Sequence, residues 1–152
     1  MKNFVLFLVG FCGYITVECL FRGYSFALMG VCGGIAILIL DKINDRISWD
    51  LNLFIQGIIG SAIITLMELI IGSLSLLGIL PVMWSYVNMP FNFMGIICLP
   101  FTIAWIFLSI FAIFVADAIN YYVFDEEPRP YYHITKNIVL RFKRKGHRDV
   151  KY

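Results

Sequence analysis

Charge is scarce in this chain. Only 14% of its 152 residues are Asp, Glu, Lys or Arg, while 61% are hydrophobic and the mean hydropathy is +0.85. A soluble domain of this length cannot hide so much apolar surface, because its surface-to-volume ratio demands more polar residues. The chain therefore reads as an integral membrane protein. Histidine is scarcer still, with His133 and His147 both in the C-terminal tail. That excludes Ser/His/Asp, Cys/His and H-E-x-x-H sets within the apolar runs, so catalysis is disfavoured. Glu18 and Glu68 as an acid–base pair are the one enzymatic version left. Cys12, Cys19, Cys32 and Cys98 show no C-x-x-C spacing and have no histidine near them. No metal site is expected, and these cysteines read as small apolar residues kept reduced. No G-x-x-x-x-G-K-[ST] phosphate loop occurs, so any ATPase would be a separate chain. No cofactor is expected.

What is present is a set of long apolar runs. A helix needs about 20 such residues to cross the hydrocarbon core. The expected architecture is an all-α membrane protein of four transmembrane helices in two hairpins. The spans are placed at 4–21, 24–40, 53–75 and 96–118, making residues 1–122 the membrane domain and 123–152 a basic tail. The opening "MKNFVLFLVGF" resembles a signal peptide, but no small-residue cleavage site follows, and it is read as a retained helix. The connection "PVMWSYVNMPFNFMG" (81–95) is uncharged and aromatic, suited to the interface or to dipping back into the bundle. Arg22 lies between the first two spans; the other eleven Lys and Arg residues belong to the N-terminus, the second loop and the tail. The positive-inside rule then places both termini in the cytoplasm of a cell-membrane, multi-pass protein. Gly30 with Gly34, and Gly57 with Ser61, mark faces where helices pack closely. The tail mixes Ile134, Ile138, Val139, Leu140 and Phe142 with cations, and as a helix it would lie on the membrane surface. The alternative is a solubilising, topology-setting tail. Nucleic-acid binding is disfavoured, because this basic run is short and tied to the bilayer.

Three acids fall inside the spans: Glu18, Glu68 and Asp117. Each charge near a bilayer centre costs ~3 kcal/mol on insertion scales. Asp117 lies near the cytoplasmic end and is expected to reach water. Glu18 stands four residues before Arg22, on one helix face with it, which favours an ion pair. Glu68, in "SAIITLMELIIG", has no basic residue within a dozen positions. Glu18 and Glu68 come at comparable depth on helices running the same way, which hints at a duplicated two-helix unit. If the hairpins pack side by side, Glu18, Arg22 and Glu68 meet in an outward-facing pocket capped by "WSYVNMPFN". Two neighbouring carboxylates would then share a proton, bind a cation, or straddle Arg22. The competing reading is an internally satisfied structural network.

"ITVECLFRGYS", "MELIIG" and "MWSYVNMPFNFMGIICLPFTIAW" together resemble the putative ABC-transporter type IV membrane family, whose animal relatives are the small transmembrane protein 229 group. The shared pattern falls on Glu18, Arg22, Gly23, Tyr24, Ser25, Glu68, Gly72, Trp84, Tyr86, Phe91, Asn92, Gly95 and Trp105, within roughly residues 10–118. Ser85 stands where the family has an aspartate, so a third carboxylate is missing from that loop. The resemblance implies a permease-like membrane protein.

Two functions follow. One is a small permease or transport subunit, oligomeric because four helices barely enclose a pathway. Its candidate binding residues are Glu18, Arg22, Glu68, Trp84, Tyr86, Asn88 and Asn92, for a cation, proton or small substrate. Its expected partners are the lipid bilayer, further copies of itself and a separate ATPase docked on "DKINDRISWD". The other is an accessory or scaffolding protein without transport activity, whose intramembrane acids are structural.

Overall fold

A computed structural model describes residues 1–43, 50–126, 128–135 and 138–144. The ATPase-docking loop falls largely on residues 44–49, outside those described; Arg46, Lys136, Lys145, Arg148 and Lys151 also lie outside them. The fold is mostly helical: α1 (Lys2–Arg22), α2 (Ala27–Asp41), α3 (Leu53–Leu76) and α4 (Leu99–Tyr122). Three of these, α1, α3 and α4, are long and apolar enough to cross a membrane. The fourth, α2, is apolar but has 15 residues, about 22 Å at 1.5 Å per residue. It begins three residues later than expected because the chain turns first. Gly23 takes a left-handed conformation (φ 83) and closes α1 with its N–H on the Cys19 carbonyl, a position that suits glycine.

The other helix ends are equally local in origin. The Asn52 side chain accepts the Phe54 N–H at 2.8 Å, capping α3. Pro100 lies in the first turn of α4, where a missing N–H costs nothing. The helices alternate in direction, and α1 packs chiefly on α2 while α3 packs chiefly on α4. The hairpins then meet mainly through α2 and α4.

Small residues set these distances. Gly30 faces Phe11 and Ile15, and Gly34 faces Phe7, across the α1–α2 contact. Gly57 faces Ile110, and Ser61 donates to the Thr102 carbonyl at 2.6 Å, across α3–α4. The tightest approach is Gly33 against Gly10 and Tyr14, where an added methyl would meet the Tyr14 Cβ and the Gly10 carbonyl oxygen.

The two ends of the bundle differ. At the end holding Lys2, the Lys2 ammonium bonds Glu126 at 3.0 Å and Asn120 donates to Asp41 at 2.5 Å. Here the described part of the tail is not a surface helix but an antiparallel hairpin, β3 (Tyr131–Thr135) with β4 (Ile138–Arg141). Its β-branched residues suit strands, and Tyr132, with no exposure, fills a core of Leu40, Ile43, Leu53 and Ile113. The Tyr132 hydroxyl donates to Asp117 at 2.5 Å, and burial together with the Asp117 charge raises the phenol's pKa, so it stays a donor. Asp117 is consequently buried rather than in water, because the hairpin covers it. The opposite end carries a second small hairpin, β1 (Asn92–Phe93) with β2 (Ile97–Cys98), between α3 and α4.

Two substitutions separate close packing from open space. Gly33→Ala should destabilise the protein by about 1–3 kcal/mol through overpacking. Gly13→Ala, with nothing within 4 Å of the new methyl, should instead leave stability unchanged or raise it by up to about 1 kcal/mol, the helix preference of alanine over glycine. Unfolding in detergent micelles, followed by circular dichroism, checks both.

Candidate functional site

The turn after α1 and the loop 77–98 share one end of the bundle, and two carboxylates organise it. Glu68 projects from α3 about 12 Å short of that helix's last residue, taking eight residues at 1.5 Å each. Its side chain sits in a residue 6% exposed, and both its oxygens are engaged. The Tyr86 hydroxyl donates to Oε1 at 2.8 Å and the Trp105 indole N–H donates to Oε2 at 2.9 Å. Such bonds to a charged acceptor are stronger than neutral ones, which offsets part of the cost of taking a carboxylate out of water.

Tyr86 reaches Glu68 because the loop is folded onto itself. Gly78 (φ 73) turns the chain away from α3. The Tyr86 N–H then bonds the Gly95 carbonyl at 2.7 Å, and the Trp84 indole bonds the Ile96 carbonyl at 2.9 Å. The Asn92 amide donates to the Val87 and Met89 carbonyls, and its oxygen receives the N–H of Gly95, itself left-handed at φ 69. Gly72 on α3 leaves room for Ile96; a methyl there would lie 2.7 Å from the Ile96 Cβ. Tyr86 stacks on Phe101 with ring centroids 4.7 Å apart, and Phe101 touches Trp105.

Glu18 has a different set of partners. Its Oε2 receives an Arg22 N–H at 2.9 Å and the Ser25 hydroxyl at 2.5 Å. Arg22 also donates to the Tyr24 carbonyl at 3.2 Å and, from Nη1, to the Met83 carbonyl at 2.6 Å. Its guanidinium lies 4.7 Å from the Tyr24 ring centroid, a cation–π contact. Arg22 thus ties the first turn to the long loop.

The structure pairs Glu18 with Arg22, yet Arg22 is not the counter-charge of Glu68. No salt bridge to Glu68 occurs among the described residues, and the two acids do not touch. What lies between them is aromatic: Tyr14, one turn before Glu18, stacks on Trp105 at 6.1 Å, and Trp84 is half-buried. A cavity of about 800 Å³ opens between α1 and α4, lined at one end by Glu18, Arg22, Ser85 and Tyr86. A smaller cavity of about 160 Å³ reaches Glu68 and is otherwise largely apolar. Trp84 and Tyr14 line both. Of the remaining candidates, Asn92 holds the loop's shape and Asn88 is exposed, lining neither cavity. Sequence reasoning missed Tyr14, although it stands four residues before Glu18 on the same face of α1. It also missed the Met83 carbonyl, which no side-chain pattern announces.

Both donors to Glu68 act on one carboxylate, so their removal should not be additive. Trp105→Phe and Tyr86→Phe are each expected to cost about 1–3 kcal/mol, with the double variant losing less than the sum. A double-mutant cycle of detergent unfolding reads this.

The residues just described as one hydrogen-bonded and ring-stacked assembly are the same ones that carry the sequence pattern, from Glu18 to Trp105. A family model described as putative ABC-transporter type IV matches residues 4–142. It extends past the helices into the β3–β4 hairpin, further than the pattern around 10–118 suggested. No curated protein matches the chain. No solved structure matches it either. With the match running from the start of α1 to the end of β4, this chain belongs to the putative ABC-transporter type IV family.

Proposed function

We propose that this protein is a permease-like membrane subunit of a transport system, whose α1–α4 cavity is the substrate site. The observation that carries this reading is the position of the Glu18–Arg22 pair. It lines a cavity of about 800 Å³, within the range of small-molecule sites. An intramembrane ion pair at a cavity is a functional feature by default. Membership of a transporter family supports the same reading. Glu68 serves it indirectly, by holding Tyr86 and Trp105 in the cavity wall. Trp84, Tyr86 and Ser85 shape the mouth. The reading assigns the chain no catalytic step of its own; ATP hydrolysis would belong to a separate partner, and further copies of this chain would complete a pathway that four helices cannot enclose.

The charge distribution supports an orientation. Arg22 sits at the cavity end, while Lys2, Lys42, Arg129, Arg141, Lys143 and Arg144 gather with the termini. By the positive-inside rule the termini face the cytoplasm of the cell membrane and the cavity opens outward. A second reading, an accessory protein without transport activity, is favoured by one observation: both oxygens of Glu68 are already taken by protein donors.

Labelling of intact cells with a membrane-impermeant maleimide tests the orientation. Ser85→Cys should react from outside and Arg129→Cys only after permeabilisation; the reverse pattern would overturn it. Glu18→Gln should abolish most of a transport-dependent growth phenotype while the protein still inserts. An unchanged phenotype with Glu18→Gln, alongside a strong effect of deleting 134–152, would favour the accessory reading.

A further inference from the structure

We infer that the α1–α4 cavity binds a membrane lipid bearing a zwitterionic headgroup. The inference rests on reading that cavity as the protein's binding site, and it names the ligand class. Three observations carry it. First, the cavity opens sideways. Contacts between α1 and α4 are sparse, and its edges are formed by Val17, Phe21, Phe107 and Phe111, all exposed on the apolar outer face of the helices. A ligand in the bilayer enters without crossing water.

Second, polarity is segregated along its length. Glu18, Arg22, Ser85 and Tyr86 lie at the loop end, and beyond them the wall runs down α4 through Phe101, Ala104 and Phe107 to Phe111. From Phe101 to Phe111 the helix rises ten steps, about 15 Å. A headgroup at the loop end and an acyl chain against α4 match this division, whereas a small hydrated solute would leave the apolar length unused.

Third, the polar end offers one acceptor and two donors side by side. Arg22 has five N–H groups, and three are used, on Tyr24, Met83 and Glu18. Two are left for a phosphate, which a guanidinium binds well. Glu18 uses Oε2 for both Arg22 and Ser25; among the described residues Oε1 takes no hydrogen bond. That oxygen, at the polar end of the cavity, receives an ammonium. An anionic headgroup would meet the Glu18 carboxylate and a cationic one would meet Arg22. A headgroup carrying both charges complements the pair.

The test is native mass spectrometry of the full-length protein in detergent, titrated with phosphatidylethanolamine or phosphatidylglycerol. Wild type should retain one phosphatidylethanolamine and bind phosphatidylglycerol about tenfold more weakly. Glu18→Gln should erase that preference, and Arg22→Ala should weaken both lipids. Ala104→Trp fills the apolar length without touching the ion pair, and it should displace the lipid from a protein that still melts like wild type. Equal binding of the two lipids, or binding that survives both Arg22→Ala and Ala104→Trp, would overturn the inference. So would a dimer that binds neither, since a second copy would then cover the cavity. Binding is read without transport: a retained lipid alongside a silent Glu18→Gln growth phenotype would sink the transport reading alone. A transport phenotype with no lipid preference would sink this one alone.

Discussion

The Glu68 carboxylate, held between the Tyr86 hydroxyl and the Trp105 indole, is the interaction on which the loop end of this protein depends. A charge in hydrocarbon is costly unless its hydrogen bonds are met. Meeting them here requires a donor from the long loop and another from α4. The acid on α3 therefore fixes where two other elements stand. Tyr86 is brought in by the Asn92-centred turn and by its own N–H on Gly95. Trp105, once oriented by Glu68, presents its ring to Tyr14 on α1. A single side chain thus couples three helices and a loop.

The ion pair at Glu18 works differently. It is local in sequence, closed within one helical turn, and its reach across the fold comes from the spare valency of Arg22 toward the Met83 carbonyl. Glu18 and Glu68 therefore look like equivalents along the chain but are opposites in use. One is enclosed by neutral donors and has both oxygens committed. The other is paired with a cation through one oxygen and lines the larger cavity. A duplicated two-helix unit, if that is its origin, has diverged at the very position that suggests it.

Much of this was legible in the residues. Composition and run length gave a mostly helical membrane protein, and the small-residue pairs Gly30–Gly34 on α2 and Gly57–Ser61 on α3 named faces that do contact α1 and α4. The i,i+4 spacing gave Glu18 with Arg22. Other features were not legible because they depend on contacts far apart in the chain. Nothing near Glu68 in sequence announces Trp105, 37 positions away, as its partner. Asp117 looked accessible because its neighbours are polar, but the tail returns over it. The hairpin itself was obscured by the cations of the tail: they suggest a surface helix, whereas the strand buries Tyr132 alone, between half-buried Tyr131 and His133.

That hairpin has a consequence for biogenesis. The residue whose hydroxyl covers Asp117 lies 15 positions further along the chain. During synthesis α4 is therefore complete before the ring that seals its acid has left the ribosome. The membrane helix must be threaded with this carboxylate still uncovered, near the bilayer boundary where water can reach it. Only after α4 has been made can the β3–β4 hairpin fold back and shut that end of the bundle. A segment made after the four helices is thus the one that locks them in place.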